Sequence, residues 1–190
     1  MSKKFTVGTI LENGVMLDVI QIGKKYKFVA QNPNGEISIV DTYQDEDIQY
    51  LPMDLAEAGI ATAIPNSFEK DISPLILLDQ NKQHIKKYID VTDYQAEVMA
   101  RYAMVTWTKD KFNFTPLLRL QGAPGSGKST TLRVLASICY KSYIFGAAVT
   151  PATIFRKQEE IRGTLLVDEF NKFDTSMTSD FAQIFNAVLS

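Results

Sequence analysis

From Pro116 onward, short apolar runs alternate with segments of helical periodicity, and this alternation constrains the fold more than any other feature of the chain. Residues 117–120 form one apolar run, and 128–139 place Leu132, Leu135, Ala136 and Cys139 on one side of a helix. Residues 142–148 form a second run. Thr150 and Pro151 then open another helix, the threonine as cap and the proline in the first turn. Residues 163–167 are a third run, and Thr178 or Ser179 opens a last helix with Phe181, Ile184, Phe185, Val188 and Leu189 on its buried side. Such a pattern predicts an α/β fold, a parallel sheet with flanking helices.

The link between the first run and the first helix is Gly122-Ala123-Pro124-Gly125-Ser126-Gly127-Lys128-Ser129. Glycines at 122, 125 and 127 let the backbone turn sharply and bring its N–H groups close to oxygen atoms. The positive end of the following helix points at the same place. Lys128 adds an ammonium that can bridge outer phosphates, and the Ser129 hydroxyl can ligate Mg²⁺. Thr130 is placed either at the α-phosphate or in a helix-turn bond. The third run ends in Asp168-Glu169. An acid at a strand end can reach magnesium through a water. The next acid can orient and deprotonate an attacking water. Lys128 and Glu169 are therefore the catalytic candidates. Residues 122–130 are the nucleotide-binding candidates, and Ser129 with Asp168 the metal candidates. Asn171 and Lys172 could sense the γ-phosphate, and Arg156 or Arg162 could reach a neighbouring subunit's nucleotide. For these four, surface solvation or salt-bridging is the favoured reading.

The first part of the chain reads differently. Residues 4–42 alternate β-type segments with turn signals at Asn13-Gly14, Gly23-Lys24 and Asn32-Pro33-Asn34-Gly35, which predicts a small four-stranded antiparallel meander. Acids at 45–47 and prolines at 52, 65 and 74 read as a linker with some local structure. The expected division is 1–43 meander, 44–74 linker and 75–190 core. Within the core, helical spacing begins near Leu75, with His84 beside a charged face and read as solvated. Thr92 and Gln95 have the form of a capping box before a helix apolar nearly all round, read as sandwiched between other elements.

Composition narrows the classes further. A net charge of −2 supplies no global attraction to nucleic acid, although a local basic groove stays open. A single cysteine excludes an internal disulfide and a zinc cluster of cysteines, and Cys139 reads as core filler. No apolar run approaches a membrane span and the first residues lack a signal peptide's apolar stretch, so a cytoplasmic protein is expected.

With the loop, the strand-ending acids and the helices between them, residues 75–190 resemble AAA+-type ATPases. They are more narrowly similar to the primase-associated or helicase-like ATPases of phages and mobile elements. The likeness runs through 114–120, 135–140, 150–156 and 162–169. It implies a P-loop NTPase fold, ATP and Mg²⁺ as cofactors, and hydrolysis driving DNA remodelling or unwinding in replication. It also implies DNA as a partner and homo-oligomers that share an arginine between subunits. The family's sensor strand and usual finger position have no counterpart after Glu169, so the resemblance implies an incomplete core: either the chain is a fragment or truncated product, or another polypeptide completes the sheet. Two alternatives stay open: a non-catalytic nucleotide-binding fragment or switch and, further off, a small-molecule kinase.

Overall fold

A computed structural model describes residues 2–54, 64–69, 72–108, 111–112, 116–146 and 150–168. The chain divides into two compact units, Met1–Lys70 and Asp71–Ser190.

The first unit is built from seven strands: β1 (Ser2–Thr6), β2 (Gly8–Ile10), β3 (Met16–Ile22), β4 (Lys25–Gln31), β5 (Ile37–Val40), β6 (Tyr43–Asp45) and β7 (Ile48–Pro52). One sheet has the order β2-β3-β4-β5, all antiparallel, and a second has the order β1-β7-β6. The turns of the first sheet put Gly14, Gly23 and Gly35 at φ of 82°, 63° and 85°, the left-handed region that side chains disfavour. Chain direction fixes the rest. β1 runs into β2 at Val7, and β5 runs into β6 across Asp41 and Thr42, so each bend carries the chain from one sheet to the other. The closing pair is parallel, Ser2 opposite Ile48 through Thr6 opposite Pro52. Between the sheets, Leu17 faces Ala30 and Val19 faces Phe28 across β3 and β4, joined by Val15 and Tyr50 in one apolar cluster. Phe28 is wholly buried there. Strands β6 and β7 occupy part of the stretch whose acids and prolines read as a linker. Glu46, at φ 48°, turns the chain tightly between them.

The second unit contains α1 (Pro74–Tyr88), α2 (Asp93–Trp107), α3 (Lys128–Ile138), β8 (Tyr143–Phe145), α4 (Pro151–Ile161) and β9 (Leu165–Val167). Thr92 starts α2 with both bonds of a capping box: its hydroxyl accepts from the Gln95 N–H at 3.2 Å, and Gln95 Oε1 accepts from the Thr92 N–H at 3.0 Å. Small residues at 96, 100 and 103 let α2 approach its neighbours closely, and they pack with Ile85 of α1 and with Val134, Leu135 and Cys139. Only one face of α2 is enclosed, since Tyr94 is 77% and Trp107 46% exposed. His84 is not simply solvated. Its Nε2 lies 3.0 Å from Ser137 Oγ, whose own proton goes to the Val134 carbonyl, so the imidazole is the donor in a bridge from α1 to α3.

The expected P-loop NTPase architecture, a parallel sheet with flanking helices, is overturned. Among the described residues the only parallel pairing of the second unit joins β8 to β9, Tyr143 opposite Leu165 through Phe145 opposite Val167. Most strands belong instead to the antiparallel pairings of the first unit. Residues 117–120, read as the strand that feeds the glycine loop, belong to no sheet. Side-chain alternation does hold there: Leu118 and Leu120 pack on the helical core, while Leu117 is 69% exposed. A strand, however, is defined by a hydrogen-bonded neighbour, and alternation reports only which side chains find a core. The last helix expected, from Thr178 or Ser179, lies outside the described residues.

Candidate phosphate-binding site

Residues 122–129 close into a tight turn at the start of α3. The Ser126 N–H donates to the Ala123 carbonyl at 3.2 Å. Gly125 and Gly127 have φ of 78° and 82°, and a Cβ at either would meet nothing, so glycine is needed there for backbone angle and not for space. Gly122 is the opposite case. An added Cβ would meet Ser126 Oγ, so the serine hydroxyl would have to rotate away to admit any side chain.

Gly127 is the N-cap of α3 and supplies no side-chain acceptor. Helices ordinarily satisfy their first amides with a Ser, Thr, Asp or Asn oxygen at this position. Here that acceptor is lacking, and the exposed Ser129 and Thr130 stand in the same first turn. A helix start so arranged attracts an anion through its aligned amides and dipole. The helix is anchored from below by Thr131, which is buried and whose N–H and hydroxyl both donate to the Gly127 carbonyl, at 2.9 and 3.1 Å. The sequence signal for that anchor was a polar residue on the core side of an amphipathic helix.

Lys128 folds back over the turn. Its ammonium donates to the carbonyls of Gly122 and Ala123, both at 2.8 Å, and lies 3.4 Å from Ser126 Oγ. The loop thus gathers Gly122, Ala123, Ser126 and Lys128 around a single positive charge. An anionic oxygen arriving there exchanges neutral carbonyl acceptors for a charged one, the stronger class of partner.

Asp168 directly follows β9, half-buried, and its N–H donates to the Phe145 carbonyl at 2.9 Å. Glu169, Asn171 and Lys172 lie outside the described residues. Arg156 turns its Nε to the Ala152 carbonyl at 3.3 Å within its own helix, and Arg162 adopts the left-handed conformation at the end of α4. The turn between α4 and β9 is crowded: the Thr164 N–H and hydroxyl both donate to the Tyr140 carbonyl at 2.9 Å. An added Cβ on Gly163 would lie 2.0 Å from the Lys141 carbonyl oxygen. The Tyr143 hydroxyl also bonds Gln158 Oε1, fixing α4 against β8.

The donor set suits a polyphosphate with a hard cation. Amides at an uncapped helix start and a lysine ammonium match phosphate oxygens, and a serine hydroxyl with a carboxylate matches Mg²⁺. Among the described residues no three His, Cys, Asp or Glu side chains gather to hold an ion. Cys139 is 1% exposed and packs in the helical core, and burial pushes its thiol up to about 12, so it is inert as a ligand or nucleophile. No helix among the described residues is long and apolar enough to cross a membrane.

Comparison with protein-family models, with curated proteins and with solved structures finds no match to this chain.

Proposed function

We propose that residues 122–130 bind the phosphates of a nucleoside triphosphate, ATP by the resemblance of the sequence to AAA+-type ATPases. Ser129 and Asp168 would hold its Mg²⁺. One observation carries the reading: a loop bent by left-handed glycines opens an uncapped helix and folds around the Lys128 ammonium. Chain direction supports the assignment of Asp168. The Ser142 hydroxyl bonds the Ala136 carbonyl and β8 packs on α3, so the chain doubles back after the helix. β9 runs parallel to β8, and Asp168 follows its last residue. When bound, the magnesium would neutralise charge on the outer phosphates. Hydrolysis assigns water activation to Glu169 on its sequence position beside Asp168. The further steps, DNA remodelling in replication of a phage or mobile element and assembly with copies of itself or with a completing polypeptide, rest on the resemblance alone.

A second reading, nucleotide binding without turnover by this chain alone, is favoured by the second unit's sheet, which among the described residues has two strands and so offers few strand ends on which to array catalytic groups. Titration of the protein with Mg·ATP, followed by phosphate release with and without single-stranded DNA, separates the two. Lys128→Ala should weaken binding roughly 10- to 100-fold, the worth of about 1.5–3 kcal/mol for a charged hydrogen bond, with the circular dichroism unchanged. Asp168→Asn should remove the magnesium dependence. Absence of saturable binding at millimolar Mg·ATP, or unchanged affinity in Lys128→Ala, would sink the proposal.

A further inference from the structure

Among the described residues, every hydrogen bond made by the glycine loop falls within residues 122–131. The direction in which its amides point is therefore inherited from α3, the helix it opens. α3 has 11 residues and spans roughly 16 Å. Val134 and Leu135 pack it into the helical core against Ala96, Ala100 and Ala103 of α2. Apolar contact has no preferred direction, so on its own it leaves a helix free to slide and turn by small amounts. Polar bonds to other helices supply the missing direction, and among the described residues they gather at the end of α3 opposite the loop.

Trp107, the last residue of α2, donates its indole N–H to the Ile138 carbonyl at 2.8 Å, one of the carbonyls that a helix end leaves without an internal partner. Thr106 beside it is 3% exposed. Its hydroxyl donates to the Ala103 carbonyl at 2.6 Å and accepts from the Tyr140 N–H at 2.9 Å. The single proton is thus spent on its own helix, and the lone pair holds the chain as it leaves α3. The Trp107 and Tyr140 rings meet edge to face, with centroids 5.1 Å apart and planes at 73°. Two adjacent residues of α2 therefore hold the end of α3 through both polarities, a donor for its last carbonyl and an acceptor for an amide just beyond it. The bridge from His84 to Ser137 braces the same end from α1.

We propose that Thr106 and Trp107 are positioning residues for the phosphate-binding loop: by fixing the C-terminal end of α3 they set the direction in which its first amides meet the phosphates. This role rests on the nucleotide reading of residues 122–130. A helix moves as a rigid rod over this length, so a displacement at one end reaches the other. Groups held in a set geometry lose binding when they are displaced by a fraction of an ångström to an ångström.

The test compares the full chain with three variants. Trp107→Phe keeps an aromatic ring beside Tyr140 and removes the indole N–H, leaving the Ile138 carbonyl to water. Thr106→Val keeps the shape and removes the hydroxyl. Each should weaken Mg·ATP binding about three- to tenfold by calorimetry, the order of one lost hydrogen bond, and Thr106→Ser should restore it. In the nucleotide-free protein, Trp107→Phe should also shift the amide NMR signals of Gly125, Gly127 and Ser129, at the far end of the helix. Wild-type affinity in both Trp107→Phe and Thr106→Val, or shifts confined to the neighbours of 107 and 140, overturns the positioning role and leaves nucleotide binding standing. A wild-type chain without affinity for Mg·ATP overturns the nucleotide reading and this role with it.

Discussion

The two units solve the same problem of burying apolar surface with opposite geometries. In the first, Phe28 is paired with Val19 and Val40 of adjoining strands, and the unit is closed by a pairing between residues far apart in sequence, Ser2 with Ile48. In the second, the core forms between helices, and its alanines come from one helix at helical spacing. The glycine loop stands at the edge of that second core, its residues exposed or half-buried and held by a few bonds. Packing density and chemistry are thus separated: each unit's enclosed residues set its stability, and the groups suited to bind anions lie where little apolar contact would be lost if they moved.

The comparison is broken most severely at the first core. Phe28→Ala should destabilise the first unit by about 3–5 kcal/mol, the range for truncating an enclosed aromatic ring. The loss should appear in hydrogen exchange of β3 and β4 and leave the amides of α2 unaffected. A uniform loss of protection across both units would show that they unfold as one. Next in size is Gly163→Ala in the second unit. The added methyl meets a backbone carbonyl that cannot swing aside, and about 2–3 kcal/mol of stability should be lost. A thermal melt unchanged within a degree would refute the crowding at Lys141. The smallest effect sharpens the comparison: Thr92→Ala removes one cap from an otherwise packed helix and should cost about 1 kcal/mol, read as a shift in urea midpoint at constant slope.

Local features were the legible ones. Asn13-Gly14, Gly23 and Gly35 announced turns because their backbone angles exclude most side chains, and Thr92 with Gln95 announced a helix start because its bonds lie within four residues. What the sequence concealed was partnership. Nothing in residues 2–6 specifies a parallel neighbour at 48–52, and the acids at 45–47 suggest a linker until Glu46 is seen turning one strand into the next. Leu117 to Leu120 misled in the other direction, since an alternating pattern can lie on helices without a strand beside it. For the candidate site, the glycines and Lys128 were readable from spacing, whereas the grip of Lys128 on its own loop and the footing supplied by Thr131 depend on folded backbone geometry.

The parallel pair β1–β7 has a consequence for the order in which the chain can assemble. β1 finds its mate only when residues 48–52 exist, so during synthesis this strand waits unpaired while the more than forty residues between them are added. The meander β2–β5 can zip locally in the meantime, because its neighbours are joined by short turns. Closure by the late strand then completes the first unit in one step, and any nascent chain halted before it exposes an unsealed edge to its surroundings.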